Sequence, residues 1–147
     1  MLLPAVTVAA GTTCARFSLF DANVSPASDI DLCVYRGTTL VGSSGSGTSA
    51  EEVNVLNPTV GAYTVVLHGF GVPVGVAASF TQFSWALGSA PAGNMTVTAP
   101  ASATIGTTGT IGLTFSGLSP ATRYLGSVAY SGIAGLPNPT IVRVDTP

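Results

Sequence analysis

Two short stretches of strict alternation constrain this chain more than anything else in it. In Ala15-Arg16-Phe17-Ser18-Leu19-Phe20, Ala15, Phe17 and Leu19 share one parity and Arg16 and Ser18 the other. In Ile30-Asp31-Leu32-Cys33-Val34-Tyr35 the apolar parity is Ile30, Leu32 and Val34. Successive strand side chains point to opposite faces, so a period of two over six residues marks a strand buried on one side. The same reasoning predicts strands over 5–9, 39–42, 51–56, 62–68 and 78–87, separated by turn clusters at 23–28, 43–49, 57–58 and 69–75. Eighteen glycines and ten prolines oppose long helices and favour short strands joined by tight turns. About seven strands at this spacing imply an all-β chain whose first part is an antiparallel, jelly-roll-like β-sandwich.

The segment Ser89-Ala90-Pro91-Ala92-Gly93-Asn94 reads as a linker, following the aromatic run Phe80-Thr81-Gln82-Phe83-Ser84-Trp85. Beyond it, strands are expected over 95–99, 110–115, 124–130 and 140–144. The organisation is therefore 1–88, a linker at 89–94, and a smaller β-sandwich-like unit over 95–147. Within that unit, Leu118-Ser119-Pro120-Ala121-Thr122-Arg123-Tyr124 has the form of a tyrosine corner, in which the hydroxyl ties back to the backbone.

Charge narrows the function classes. Only 7% of residues are charged, there is no lysine, and four Arg stand against six Asp and Glu for a net charge of −2. A nucleic-acid binder needs clustered cations to neutralise phosphates, and none exist here. The 46% hydrophobic content excludes disorder driven by high charge and low hydrophobicity. Glycine, proline and hydroxyl residues interrupt every apolar run well short of the roughly 18 residues a membrane span needs. The start Met1-Leu2-Leu3-Pro4 lacks the basic region of a signal peptide and reads as the head of a segment cut from a longer chain. From 53 to 122 there is no Asp, Glu, Lys or Arg, and His68 is the only group in that stretch that titrates near neutrality. Acid–base catalysis needs positioned groups of suitable pKa, so no catalytic residues are expected.

Three aspartates, Asp21, Asp29 and Asp31, gather around a polar loop. If the two flanking strands pair as a hairpin, the three carboxylates converge and form a hard-cation site, since Ca²⁺ takes six to eight oxygen ligands; otherwise they are ordinary turn residues. Cys14 and Cys33 both fall on the outward parity of their strands. In an exported protein, and with those strands as neighbours, they would form a disulfide contributing about 3 kcal/mol; the alternative is two free thiols. Tyr35, Phe70 and Phe80 are the candidates for an exposed substrate-binding surface, whereas Phe83 and Trp85, sharing parity with Leu87, are expected inside. His68 is read as a surface or hydrogen-bonded histidine, and Ser43-Ser44-Gly45-Ser46-Gly47 as a flexible loop rather than a nucleophile elbow.

The strings Phe17-Ser18-Leu19-Phe20-Asp21, Ser28-Asp29-Ile30-Asp31-Leu32-Cys33-Val34-Tyr35, Ser49-Ala50-Glu51-Glu52-Val53 and Gly61-Ala62-Tyr63-Thr64-Val65-Val66-Leu67-His68-Gly69-Phe70 resemble the bacterial pre-peptidase C-terminal domain. The ending Thr140-Ile141-Val142-Arg143-Val144-Asp145-Thr146 resembles the tail of secreted subtilisin-like serine proteases, with a fibronectin-III-like strand pattern. The resemblance implies a secreted, non-catalytic accessory module, partnered by the catalytic domain of a parent protease and by protein substrate, insoluble or fibrous protein included. It also implies Ca²⁺ held through acidic loops, here Asp21, Asp29 and Asp31. Cys33 departs from that pattern, in which an aromatic or aliphatic residue is usual. A carbohydrate-binding module of a secreted hydrolase and a purely structural spacer are the alternatives.

Overall fold

A computed structural model describes residues 1–132 and 134–147. Among them the chain is all-β, with thirteen strands, one 3-10 turn at Asp21–Asn23 and no α-helix. It divides into two compact units, Met1–Ser89 and Ala90–Pro147. Among the described residues no helix is long and apolar enough to cross a membrane.

The first unit holds β1 (Val6–Val8), β2 (Thr12–Ser18), β3 (Val24–Ser25), β4 (Asp29–Arg36), β5 (Thr39–Ser44), β6 (Glu52–Leu56), β7 (Gly61–Gly71), β8 (Ser79–Phe80) and β9 (Phe83–Gly88). A four-stranded antiparallel sheet runs β1-β7-β4-β5, a three-stranded one β6-β2-β9, and a short ladder pairs β3 with β8. The apolar parities foreseen in the sequence meet between the two larger sheets. Ile30, Leu32, Val34, Tyr63, Val65 and Leu67 come from one, Ala15, Phe17 and Val53 from the other, all nearly inaccessible to solvent. The Phe17 and Tyr63 rings stack across that interface, 6.2 Å apart. Tyr63 opens β7 and donates its hydroxyl to the Thr59 carbonyl at 2.9 Å, so its one polar atom is satisfied inside the core.

Three sequence expectations change. The strand expected over 78–87 is two strands broken at Thr81 and Gln82: β8 pairs with β3, and β9 with β2. β2 and β4 are not a hairpin. The 3-10 turn and β3 carry the chain from one sheet to the other, so β2 lies between β6 and β9 and β4 between β7 and β5. For the same reason the expected Cys14–Cys33 disulfide is not formed: the thiols sit in different sheets and both are free.

The second unit carries β10 (Met95–Thr98), β11 (Gly112–Phe115), β12 (Arg123–Val128) and β13 (Thr140–Asp145), forming two antiparallel ladders, β10-β11 and β12-β13. The tyrosine corner has the expected form: the Ser119 N–H donates to the Tyr124 hydroxyl oxygen at 2.8 Å. That bond favours the phenolate and lowers the Tyr124 pKa, with a further contribution from Thr122. Thr146 closes the unit, its hydroxyl accepting from the Thr122 N–H and donating to the Ser119 carbonyl. Val128 is the one buried hydrophobic residue among those described here.

Candidate functional site

A cleft of about 400 Å³ opens in the first unit, lined by Asp21, Val24, Ala27, Ser28, Asp29, Gly47, Thr48 and Gly71. Its walls come from the turn after β2, the approach to β4, the β5–β6 loop and the end of β7. Polar, turn-forming residues at those positions bring the chain ends of several strands together without extending any of them.

The β5–β6 loop is anchored rather than flexible. Glu51 is only 1% exposed, and its carboxylate accepts from the Ser46 N–H at 2.7 Å, the Ser46 hydroxyl at 2.6 Å and the Ser44 hydroxyl. Ser49, fully buried, donates its hydroxyl to the Ser28 carbonyl at 2.6 Å, tying the loop to the opposite wall. A buried carboxylate is retained only when its oxygens are satisfied, and here serines and a backbone N–H do it. Parity along the chain gives no sign of this, because Glu51 lies just outside the β6 ladder. The recurring serines facing one glutamate were the signal available in the sequence.

Two of the three candidate metal ligands share the cleft. Asp21 and Asp29 both line it, and the Asp29 Oδ1 atom is buried with no hydrogen-bond partner among the described residues. Asp31 does not join them. It lies opposite His68 in the β4–β7 ladder, and its Oδ2 is 3.4 Å from His68 Nδ1 on the outer face of the sheet. Among the described residues no three His, Cys, Asp or Glu side chains gather in an arrangement that holds a metal ion. None of the four arginines lines the cleft: Arg16 pairs with Glu52, Arg36 reaches the Val60 carbonyl, and Arg123 and Arg143 pair with Asp145. The lining of the cleft is thus acidic, with two aspartates and no basic side chain among its described residues, and its field favours a positive occupant.

The candidate binding aromatics do not converge. Tyr35 is half-buried opposite Thr64. Phe70, 73% exposed with its ring crossing that of His68 at 71°, stands six residues further along β7, about 20 Å away at the strand rise. Phe80 packs against the core from β8. Phe83 and Trp85, expected inside with Leu87, are half-buried while Ser84 and Ala86 between and beyond them are exposed, but register places them on the side of the sheet that carries Ser18 and Arg16, away from Ala15 and Phe17, with near-parallel rings 5.8 Å apart. Their parity along the strand was regular; which parity faced the core depended on pairing with β2, whose core side carries Ala15 and Phe17.

Cys14, on that same side of the sheet, is 1% exposed, and burial raises its thiol pKa, the Arg16 charge partly opposing. Cys33 is half-buried on the other sheet.

Comparison with protein-family models, curated proteins and solved structures finds no match.

Proposed function

We propose that the chain is a secreted, non-catalytic accessory module of the pre-peptidase C-terminal kind, carried by a serine protease and binding protein substrate, and that its acidic cleft holds Ca²⁺. The observation that carries the reading is the cleft itself. Asp21 and Asp29 enter one concave, cation-free site, and an oxygen of Asp29 is buried without a partner. An unpaired buried carboxylate oxygen is costly, and a hard cation is the natural group to satisfy it. The ligand set is Asp21 and Asp29, with Ser28, Thr48, backbone carbonyls and water supplying the remaining oxygens. Asp31 falls outside this set, its carboxylate facing His68. The cation would hold the turn after β2, the start of β4 and the β5–β6 loop together, stabilising the end of the sandwich rather than activating a bond.

Thermal melting in Ca²⁺ against a chelator tests this. A ligand that binds only the folded chain at a hundredfold excess over its Kd adds about 2.7 kcal/mol, and the midpoint rises accordingly. Asp29→Ala abolishes the rise and Asp31→Ala leaves it intact. Equal midpoints with and without Ca²⁺ would return Asp21 and Asp29 to ordinary turn residues.

A further inference from the structure

The chain that leaves β7 beside the cleft has an unusual surface for a loop. From Phe70 to Ala78 no side chain carries a charge or a hydrogen-bonding group. Phe70 is 73% exposed, Val76 51%, and Val74 wholly so. Val72 alone folds back, its Cγ2 lying 2.8 Å from where a Cβ on Gly69 would stand. Single apolar residues on a surface are ordinary, but an exposed run of them marks a place of contact.

The run is shaped as a projecting turn. The Val76 N–H donates to the Pro73 carbonyl at 3.2 Å, and Gly75 takes the positive φ of 76° that such a turn requires, which puts Val74 at the tip. Proline has no N–H and that of Val76 is used within the turn, so the tip offers few free donors to a partner. Its root belongs to the acidic cleft. Gly71 ends β7, lies opposite Asp29 in register and lines the cleft, and a Cβ placed on it would come within 3.2 Å of the Asp29 Cβ. The apolar tip and the two aspartates are therefore joined through one wall.

We infer that tip and cleft together form a Ca²⁺-dependent docking site for an anionic phospholipid surface, in which Phe70, Val74 and Val76 enter the interfacial layer and the cation meets headgroup oxygens. The inference rests on the Ca²⁺ reading of the cleft. Ca²⁺ takes six to eight oxygens, and two aspartates with loop oxygens leave positions for a phosphate or carboxylate from outside. Neither the cleft lining nor the run from Phe70 to Ala78 contains a Lys or Arg, so no fixed cation draws the chain to a negative surface. Without the metal, Asp21 and Asp29 repel that surface; with it, the same place attracts it. A protein partner fits less well. Protein interfaces carry about one hydrogen bond per 100–200 Å², and a projecting tip without a polar side chain supplies none from its side chains. Backbone groups left free at the tip need water within reach, which limits entry to about 5–10 Å and to the interface.

Flotation of the full chain with vesicles tests this, using phosphatidylcholine mixed with phosphatidylserine and phosphatidylcholine alone, each in Ca²⁺ and in chelator. Thermal midpoints are measured in the same two conditions. The expected result is flotation with the mixed vesicles in Ca²⁺, and little with phosphatidylcholine alone or in chelator. Val74→Asp, at a fully exposed position, lowers partitioning by about tenfold or more and keeps the Ca²⁺-induced rise in midpoint. Val74→Leu keeps both. A midpoint that rises in Ca²⁺ without flotation would overturn the docking site and leave the Ca²⁺ reading standing. A midpoint that does not rise would remove the cation and the docking site with it. Flotation as strong in chelator as in Ca²⁺, or undiminished in Val74→Asp, would also overturn the proposal. So would retention on insoluble collagen or elastin, lost in Val74→Asp, from a chain that does not float with vesicles.

Discussion

The two units are built from the same kind of sequence and hold together differently. The first closes a core of twelve buried residues, most of them from its two larger sheets, and satisfies a buried glutamate, a buried serine and a buried tyrosine with specific partners. The second has one buried hydrophobic residue among those described and relies on backbone ladders, a threonine clasp and ion pairs at Asp145. Each contains a tyrosine tied to backbone, Tyr63 to Thr59 and Tyr124 to Ser119, yet one is buried in the core and the other is half-buried with its hydrogen bond exposed. The same local device therefore acts in two settings: in the first it satisfies a polar atom that burial would strand, and in the second it fixes a turn already bathed in water. Burial, not the motif, decides how much it contributes.

The largest way to break the comparison is Phe17→Ala, which removes the ring stacked on Tyr63. Urea unfolding followed at Trp85 should show a loss of about 3–5 kcal/mol, the usual range for an aromatic deleted from a packed core. Val128→Ala in the second unit should cost distinctly less in calorimetry; a loss as large as that of Phe17→Ala would contradict the contrast.

Next in size is Glu51→Ala. It strands the Ser44 and Ser46 donors and should cost about 3 kcal/mol, with the β5–β6 loop becoming the first site of proteolytic nicking. Glu51→Gln keeps an acceptor and should lose less. An uncleaved loop in Glu51→Ala would show that the anchor is dispensable.

The tyrosine pair sharpens the contrast. Tyr63→Phe leaves the Thr59 carbonyl without its donor and should lose about 1 kcal/mol, whereas Tyr124→Phe should lose distinctly less in calorimetry. The Tyr124 phenol should ionise below the ordinary tyrosine range, seen as a low-pH component in the absorbance titration that Tyr124→Phe removes. Because its folded pKa is lowered, its contribution to the second unit is present above the ordinary tyrosine pKa and is lost as pH falls through the lowered one.

The smallest expected effect concerns the thiols. Iodoacetamide should label Cys33 well before Cys14, which is buried and held neutral. Below the ordinary thiol range Cys14 is protonated in both states, its contribution is fully present and stability there does not vary with pH on its account. As pH rises above that range the unfolded thiol ionises first, and the contribution declines until the folded thiol titrates too. Equal labelling rates for the two would contradict the burial of Cys14.

Much of the fold was legible because alternation survives translation into structure: the parities of Ala15-Phe17-Leu19 and Ile30-Leu32-Val34 meet in the core. What alternation does not encode is partnership. Nothing in the sequence says that β2 pairs with β6 and β9 rather than with β4, and that choice leaves Asp31 against His68, keeps Cys14 from Cys33 and sets Trp85 beside Arg16. The three-aspartate cluster depends on a β2–β4 hairpin that does not form; Asp21 and Asp29 share a cleft through the turn after β2, the start of β4 and the β5–β6 loop. The Glu51 anchor escapes alternation for another reason: a buried charge breaks the hydrophobic pattern, and only the serines around it signal its role.

The account rests on the cleft of the first unit being the cation site and the second unit taking no part in it. Hydrogen exchange of the full chain, resolved by peptide and compared in Ca²⁺ and in chelator, tests that directly. The account predicts slower exchange in Ca²⁺ over 20–31, 45–51 and 69–72, and unchanged exchange throughout 90–147. Exchange that is the same at 20–31 in both conditions, or that slows only within 90–147, would contradict it.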